Sequence, residues 1–135
     1  MKQILNEIDH IGIAVDDLQE VIETFRKGFG LQPSFTQEIT DQKVRIAGYT
    51  IGTSTVEYFE PTAPDSPVSR FLEKRKNGIH HIAFRVENLK KTLSELKEKG
   101  FQLIDEEPRP GANGSRIAFI HPSSFNGILI ELCEF

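Results

Sequence analysis

The stretch DHIGIAV at residues 9–15 returns as HHIAFRV at residues 80–86, and this return decides the fold. Both copies run into a polar pair and a leucine, Asp16-Asp17-Leu18 after the first and Glu87-Asn88-Leu89 after the second. Further along, Gly28-Phe29-Gly30-Leu31 is answered by Gly100-Phe101-Gln102-Leu103, and Arg45-Ile46-Ala47 by Arg116-Ile117-Ala118. Near each end, Val56-Glu57-Tyr58 matches Ile130-Glu131-Leu132. Landmarks that recur in one order at nearly one offset mark a duplicated module.

Each copy opens with a strand, because Ile11, Ile13 and Val15 alternate with His10, Gly12 and Ala14. A helix follows from Leu18 to about Lys27, with Leu18, Val21, Ile22 and Phe25 forming one apolar stripe. Asp17 is its N-cap, Glu20 completes an acidic capping box, and Gly28 is placed to stop it. The second copy repeats the plan with Asn88 as N-cap, Leu89, Leu93 and Leu96 as stripe, and Gly100 as stop. Three β-rich runs follow each helix: about 31–38, 43–50 and 54–60, then 102–106, 115–120 and 127–133. The order is βαβββ twice, an α+β fold class. The expected organisation is a single domain over 1–135, with module one at 1–61, a linking segment at 62–77 and module two at 78–135. In the linker, Ser66-Pro67 reads as an N-cap with proline at the first helical position, followed by the apolar Val68, Phe71 and Leu72.

Strand polarity bears on function. Helices are expected to cover the Ile11/Ile13/Val15 face and its twin Ile82/Phe84/Val86. His10 and His81 then lie on the helix-free face beside Gly12, Ala14 and Ala83, whose small side chains leave room for a cavity.

The bulk properties narrow the class. The chain has 135 residues, 38% hydrophobic and 27% charged, with a formal net charge of -4 and the two signs interspersed. No basic stripe is present to bind nucleic acid. No apolar run approaches the roughly 18 residues of a membrane span, and the start MKQILNEIDHIG lacks the apolar core of a signal peptide. Cys133 is the single cysteine, which excludes an intrachain disulfide and suits a reducing compartment, so the expected location is the cytoplasm.

Two residue types recur at matching positions and are good metal ligands: His10 with His81, and Glu57 with Glu131. A lone strand histidine is more often a core or surface residue. Here, however, both glutamates sit in the apolar contexts TVEYF and ILIELC, where burying a carboxylate is costly without a cation or donor. Pairing of the modules would gather a His₂Glu₂ set suited to one divalent Zn, Co, Ni, Mn or Fe ion. His80 and His121 have no repeat partners, and Asp9 holds the place matching His80. The loop Pro108-Arg109-Pro110-Gly111-Ala112-Asn113-Gly114-Ser115-Arg116 reads either as a β-hairpin loop or as a wrap for an anionic tail held by Arg109 or Arg116.

On DHIGIAV, VEYFEP (56–61), DSPVSRFLEKR (65–75), GIHHIAFRV (78–86), GFQLIDEEPRPGANGSRIAFIHP (100–122) and GILIELCEF (127–135), the chain resembles the vicinal oxygen chelate superfamily along essentially its whole length. Within it, the chain most resembles the methylmalonyl-CoA epimerases. The resemblance implies a curved, half-open barrel-like mixed sheet around a metal site, with His10, Glu57, His81 and Glu131 at the metal positions. It implies an isomerase that interconverts (R)- and (S)-methylmalonyl-CoA, a small-molecule acyl-CoA thioester, by C2 proton abstraction through a metal-stabilised enolate. Glu131 is the expected base. The return proton would come from Glu57, a metal-bound water or another group. Some epimerases place a further glutamate on the strand here reading KVRIAG (43–48), which holds no carboxylate.

Two alternatives share the fold: a glyoxalase I-like lyase (lactoylglutathione lyase) acting on a hemithioacetal, and a non-catalytic ligand-binding member. Open sheet edges favour pairing, so a homodimer is expected, with no nucleic-acid or membrane partner.

Overall fold

The computed structural model describes residues 3–135. Its contacts divide the chain into two compact units: Ile11–His80, and the residues up to His10 together with His81–Phe135. Among the described residues, eight strands and three α-helices follow the order βαβββ, helix, βαβββ, so the α+β reading from the repeat holds. None of the described helices is long and apolar enough to cross a membrane.

In the Ile11–His80 unit, strand order is β2 (Phe35–Ile39), β3 (Val44–Ile51), β4 (Ser54–Pro61), then the second half of β1 (Leu5–Ala14). β2, β3 and β4 pair antiparallel in hairpin fashion, with Phe35 opposite Gly48 and Gly48 opposite Glu57. A Cβ on Gly48 would fall 2.1 Å from the Phe35 ring, so glycine there makes room for the aromatic. Helix α1 (Leu18–Phe29) begins at Asp17, whose side chain accepts the Glu20 N–H at 3.1 Å. Its apolar stripe packs Val21 and Ile22 onto Ile13, Val15, Ala47 and Tyr58, which is the covered face that the alternation predicts. Helix α2 (Pro67–Arg75) begins at Ser66, whose hydroxyl accepts the Val68 N–H, with Pro67 in the first turn where its missing N–H costs nothing.

In the other unit, the order is the first half of β1, then β5 (Gly78–Val86), β8 (Leu129–Glu134), β7 (Arg116–Ile120) and the two-residue β6 (Arg109–Pro110). β5 and β8 are parallel, with Ala83 opposite Glu131. β7 runs antiparallel to both β8 and β6. Helix α3 (Leu89–Glu98) is capped by Asn88, which accepts the Lys91 N–H at 3.1 Å. Leu89 and Leu93 close onto Val86, Ala118, Ile120, Ile130 and Leu132, all essentially solvent-free.

Four details depart from the sequence reading. Gly28 lies inside α1, and Gly30, at φ 64°, is the left-handed stop. The first β-run starts at Phe35 rather than 31, because the Leu31 N–H is spent on the Phe25 carbonyl at the helix end and Pro33 has no N–H to give. The 102–106 run contributes only a bridge between Leu103 and Ile120. There the Asp105 carboxylate takes the Phe119 N–H at 2.8 Å, replacing the carbonyl that a ladder would supply. Finally, the face expected to be helix-free is not so throughout: Ala14 packs with Val44, Phe59 and Val68 of α2.

Candidate metal centre

His10 on β1, His81 on β5 and Glu131 on β8 meet in one unit, each with a ligand atom within 4.8 Å of the others. The parallel register explains part of this. Glu131 lies opposite Ala83, and His81 is two residues from Ala83 on the same strand face, so the carboxylate and imidazole are diagonal neighbours. Ala83 has no exposed surface and only a methyl group, which leaves the space between them open.

The three groups are 7%, 8% and 6% exposed for His10, His81 and Glu131. His10 Nε2 lies 3.1 Å from His81 Nε2 and 3.6 Å from the Glu131 carboxylate, which is 3.3 Å from His81 Nε2. Asp9 stands behind His10 at 2.7 Å from Nδ1, and Arg85 Nε lies 2.6 Å from the other Asp9 oxygen. Burial raises the Asp9 pKa, but its hydrogen bonds and attraction to His10 and Arg85 outweigh this and hold the carboxyl below the ordinary value. The Nδ1 side of His10 thus faces a carboxylate acceptor, while Nε2 faces inward toward His81 and Glu131. Two imidazole nitrogens and a carboxylate oxygen thus converge at separations that ligands share around a metal with bonds of roughly 2.0–2.1 Å. The donor set fits a divalent ion, and the residues could hold one.

Glu57, the fourth expected ligand, is half-buried on β4 and belongs to the Ile11–His80 unit. His80, left out of the ligand set, sits edge-on to Phe59 and Phe71 at ring separations of 5.4 and 5.0 Å, and burial pushes its imidazole pKa down. Arg45 is exposed and spans Glu60 at 2.8 Å and Glu38 at 3.5 Å across neighbouring strands, a surface ion-pair ladder.

The two loop arginines differ. Arg109 reaches over Phe119 at 5.3 Å, and Phe119 in turn meets His81 edge-on at 5.9 Å. Arg116 is exposed opposite Glu134, in the row of β7 that continues into the buried Ala118 and Ile120. Both border a shallow depression of about 390 Å³ with Pro108, Gly111 and Ser115. The loop is a short β-hairpin, as one of its two readings had it.

The sequence reading missed Glu60 and Glu134. The first accepts the Leu18 N–H at 3.0 Å and the second the Leu89 N–H at 2.7 Å, each supporting the start of the helix in its own unit. The signal was available, since both glutamates lie three residues beyond the paired Glu57 and Glu131.

The profile of the Glyoxalase/Bleomycin resistance protein/Dioxygenase superfamily matches residues 9–119. The chain is 44% identical over 130 residues to the uncharacterized protein YqjC of Bacillus subtilis, covering 96% of this chain and 93% of that one. It is 34% identical to the ethylmalonyl-CoA/methylmalonyl-CoA epimerase of Cereibacter sphaeroides, with 96% and 98% covered. Among solved structures, a Streptomyces coelicolor methylmalonyl-CoA epimerase variant in complex with 2-nitronate-propionyl-CoA superposes with a TM-score of 0.88 at 38% identity, over 96% of this chain and 94% of that one. With both the duplicated βαβββ plan and this sequence match in hand, the chain belongs to the glyoxalase/bleomycin resistance protein/dioxygenase superfamily, the vicinal oxygen chelate proteins.

Proposed function

We propose that the protein is a metal-dependent epimerase interconverting (R)- and (S)-methylmalonyl-CoA. The observation that carries this reading is the buried convergence of His10, His81 and Glu131, in a chain similar along its length to proteins named as methylmalonyl-CoA epimerases. His10, His81 and Glu131, with Glu57 as fourth ligand, would hold one divalent ion, one of Co, Zn, Ni, Mn or Fe. When bound, that ion supplies Lewis-acid stabilisation of negative charge developing on the thioester oxygen, worth several kcal/mol.

The protein's own groups do the rest. Glu131 takes the C2 proton, since its carboxylate is 6% exposed and flanked by the Ile130 and Leu132 core positions. Strand 43–48 offers no carboxylate to return a proton on the opposite face, and Glu57 is one of several groups open to that role. Arg109 and Arg116 provide cationic donors for the phosphates of the thioester tail along the hairpin depression. The functional form is a homodimer, as the strand edges favour, and its mass by light scattering at micromolar concentration tests that part separately.

The decisive experiment is C2 exchange. Metal-loaded protein incubated with methylmalonyl-CoA in D₂O should place deuterium at C2 by NMR and equilibrate the two epimers. Absence of exchange from a metal-loaded sample overturns the epimerase reading. Turnover of a glutathione hemithioacetal in its place would identify a glyoxalase I-like lyase, and thioester binding without either reaction a non-catalytic binder.

A further inference from the structure

The residue before the candidate ligand histidine differs between the two repeats. The first repeat has a carboxylate directly before its histidine, Asp9, where the second has His80. Asp9 is only 12% exposed in its side chain, yet it makes two short charge-assisted contacts, to His10 Nδ1 at 2.7 Å and to Arg85 Nε at 2.6 Å. Arg85 comes from the far end of β5 and is itself fixed from two more sides. Its guanidinium lies over the Phe135 ring at 4.2 Å, and Glu7 stands 3.3 Å from Nε. A buried carboxylate without partners would be expensive, and the pairing with Arg85 holds Asp9 in place against His10.

We propose that Asp9 and Arg85 form a positioning relay that fixes His10 as its Nδ1–H tautomer and so directs the Nε2 lone pair to the ion. This rests on His10 being a metal ligand. Asp9 and Arg85 touch neither substrate nor ion; they are positioning residues. A carboxylate hydrogen-bonded to the second nitrogen of a ligand imidazole sets the ring's orientation and raises its donor strength, and losing such a partner costs roughly 10–100-fold in metal affinity.

The test uses full-length protein and Co(II) alone. Titration followed by visible absorption gives the affinity, and long-range ¹H–¹⁵N spectra of the metal-free protein report which nitrogen of His10 is protonated. Asp9→Asn should weaken Co(II) binding by roughly 10–100-fold and move the His10 spectrum away from pure Nδ1–H. Arg85→Gln should produce a smaller loss in the same direction, and Glu7→Gln, which lies beside Arg85 Nε, almost none. Circular dichroism confirms that each variant is folded; if Asp9→Asn does not fold, Asp9→Glu and Arg85→Gln carry the test. Unchanged affinity together with an unchanged His10 tautomer in the folded variants overturns the relay. Failure of the metal-site reading looks different: the wild type would then bind no Co(II), or His81→Ala would bind it as tightly as the wild type.

Discussion

Asp9 and His80 occupy the same place in the two repeats, one step before a candidate ligand histidine, and their surroundings differ. Asp9 is a carboxylate drawn between Arg85 and His10. His80 is an imidazole seated among Phe59 and Phe71. Three residues past the paired glutamates the repeats agree again, with Glu60 and Glu134 each accepting from the first turn of a helix. The duplicated frame therefore sets where strands, helices and helix caps fall. Single substitutions inside that frame decide what stands before each of the paired histidines.

The largest expected effect tests whether both repeats supply a ligand. A His10→Ala/His81→Ala double variant should lose stoichiometric divalent metal by elemental analysis. Full retention would break the pairing of the two histidines as ligands and move the site elsewhere.

The paired glutamates should separate next. Glu131→Gln is expected to keep most of the metal and lose C2 exchange by at least ~10², the low end for removing a general base. Glu57→Gln should show the reverse, weak metal binding with exchange recovered at high metal concentration. Near wild-type exchange by metal-loaded Glu131→Gln would mean that the base is another residue.

A third comparison concerns the cores. Leu93, 1% exposed, and Ile22, half-buried, hold matching places on α3 and α1. Leu93→Ala should cost about 2–5 kcal/mol in urea unfolding. Ile22→Ala should cost less, because part of its surface already meets water. Equal losses would show that the two helices are buried alike despite their different exposure.

The smallest effect belongs to the feature that the repeats share. Glu134→Ala removes a helix-start acceptor and should cost on the order of 0.5–2 kcal/mol. Glu60→Ala should cost a similar amount, with only a minor addition from its exposed partner Arg45. A cost confined to one of the two would show that the matching caps are not energetically equivalent.

Sequence alone determined the βαβββ duplication, the N-caps Asp17, Ser66 and Asn88, the apolar stripes, and the candidate ligand set His10, Glu57, His81 and Glu131, of which His10, His81 and Glu131 converge in one unit. These follow from period, from local backbone preference and from the repeat, all of which are written in neighbouring residues. Tertiary structure decided the rest. Arg85 meets Asp9 across 76 positions, and Glu60 and Glu134 reach their helices across 42 and 45. Such pairs depend on which strands lie side by side and in what register, and no local pattern encodes that. The same holds where the local signal is ambiguous. Both Gly28 and Gly30 could end α1, and the helix stops at Gly30, where the backbone turns left-handed. Run 102–106 has strand-like residues, yet Asp105 diverts the Phe119 N–H to its side chain and the ladder shrinks to one bridge. A side chain competing for a backbone hydrogen bond is decided only once the partner strand has arrived, so composition could not foretell it.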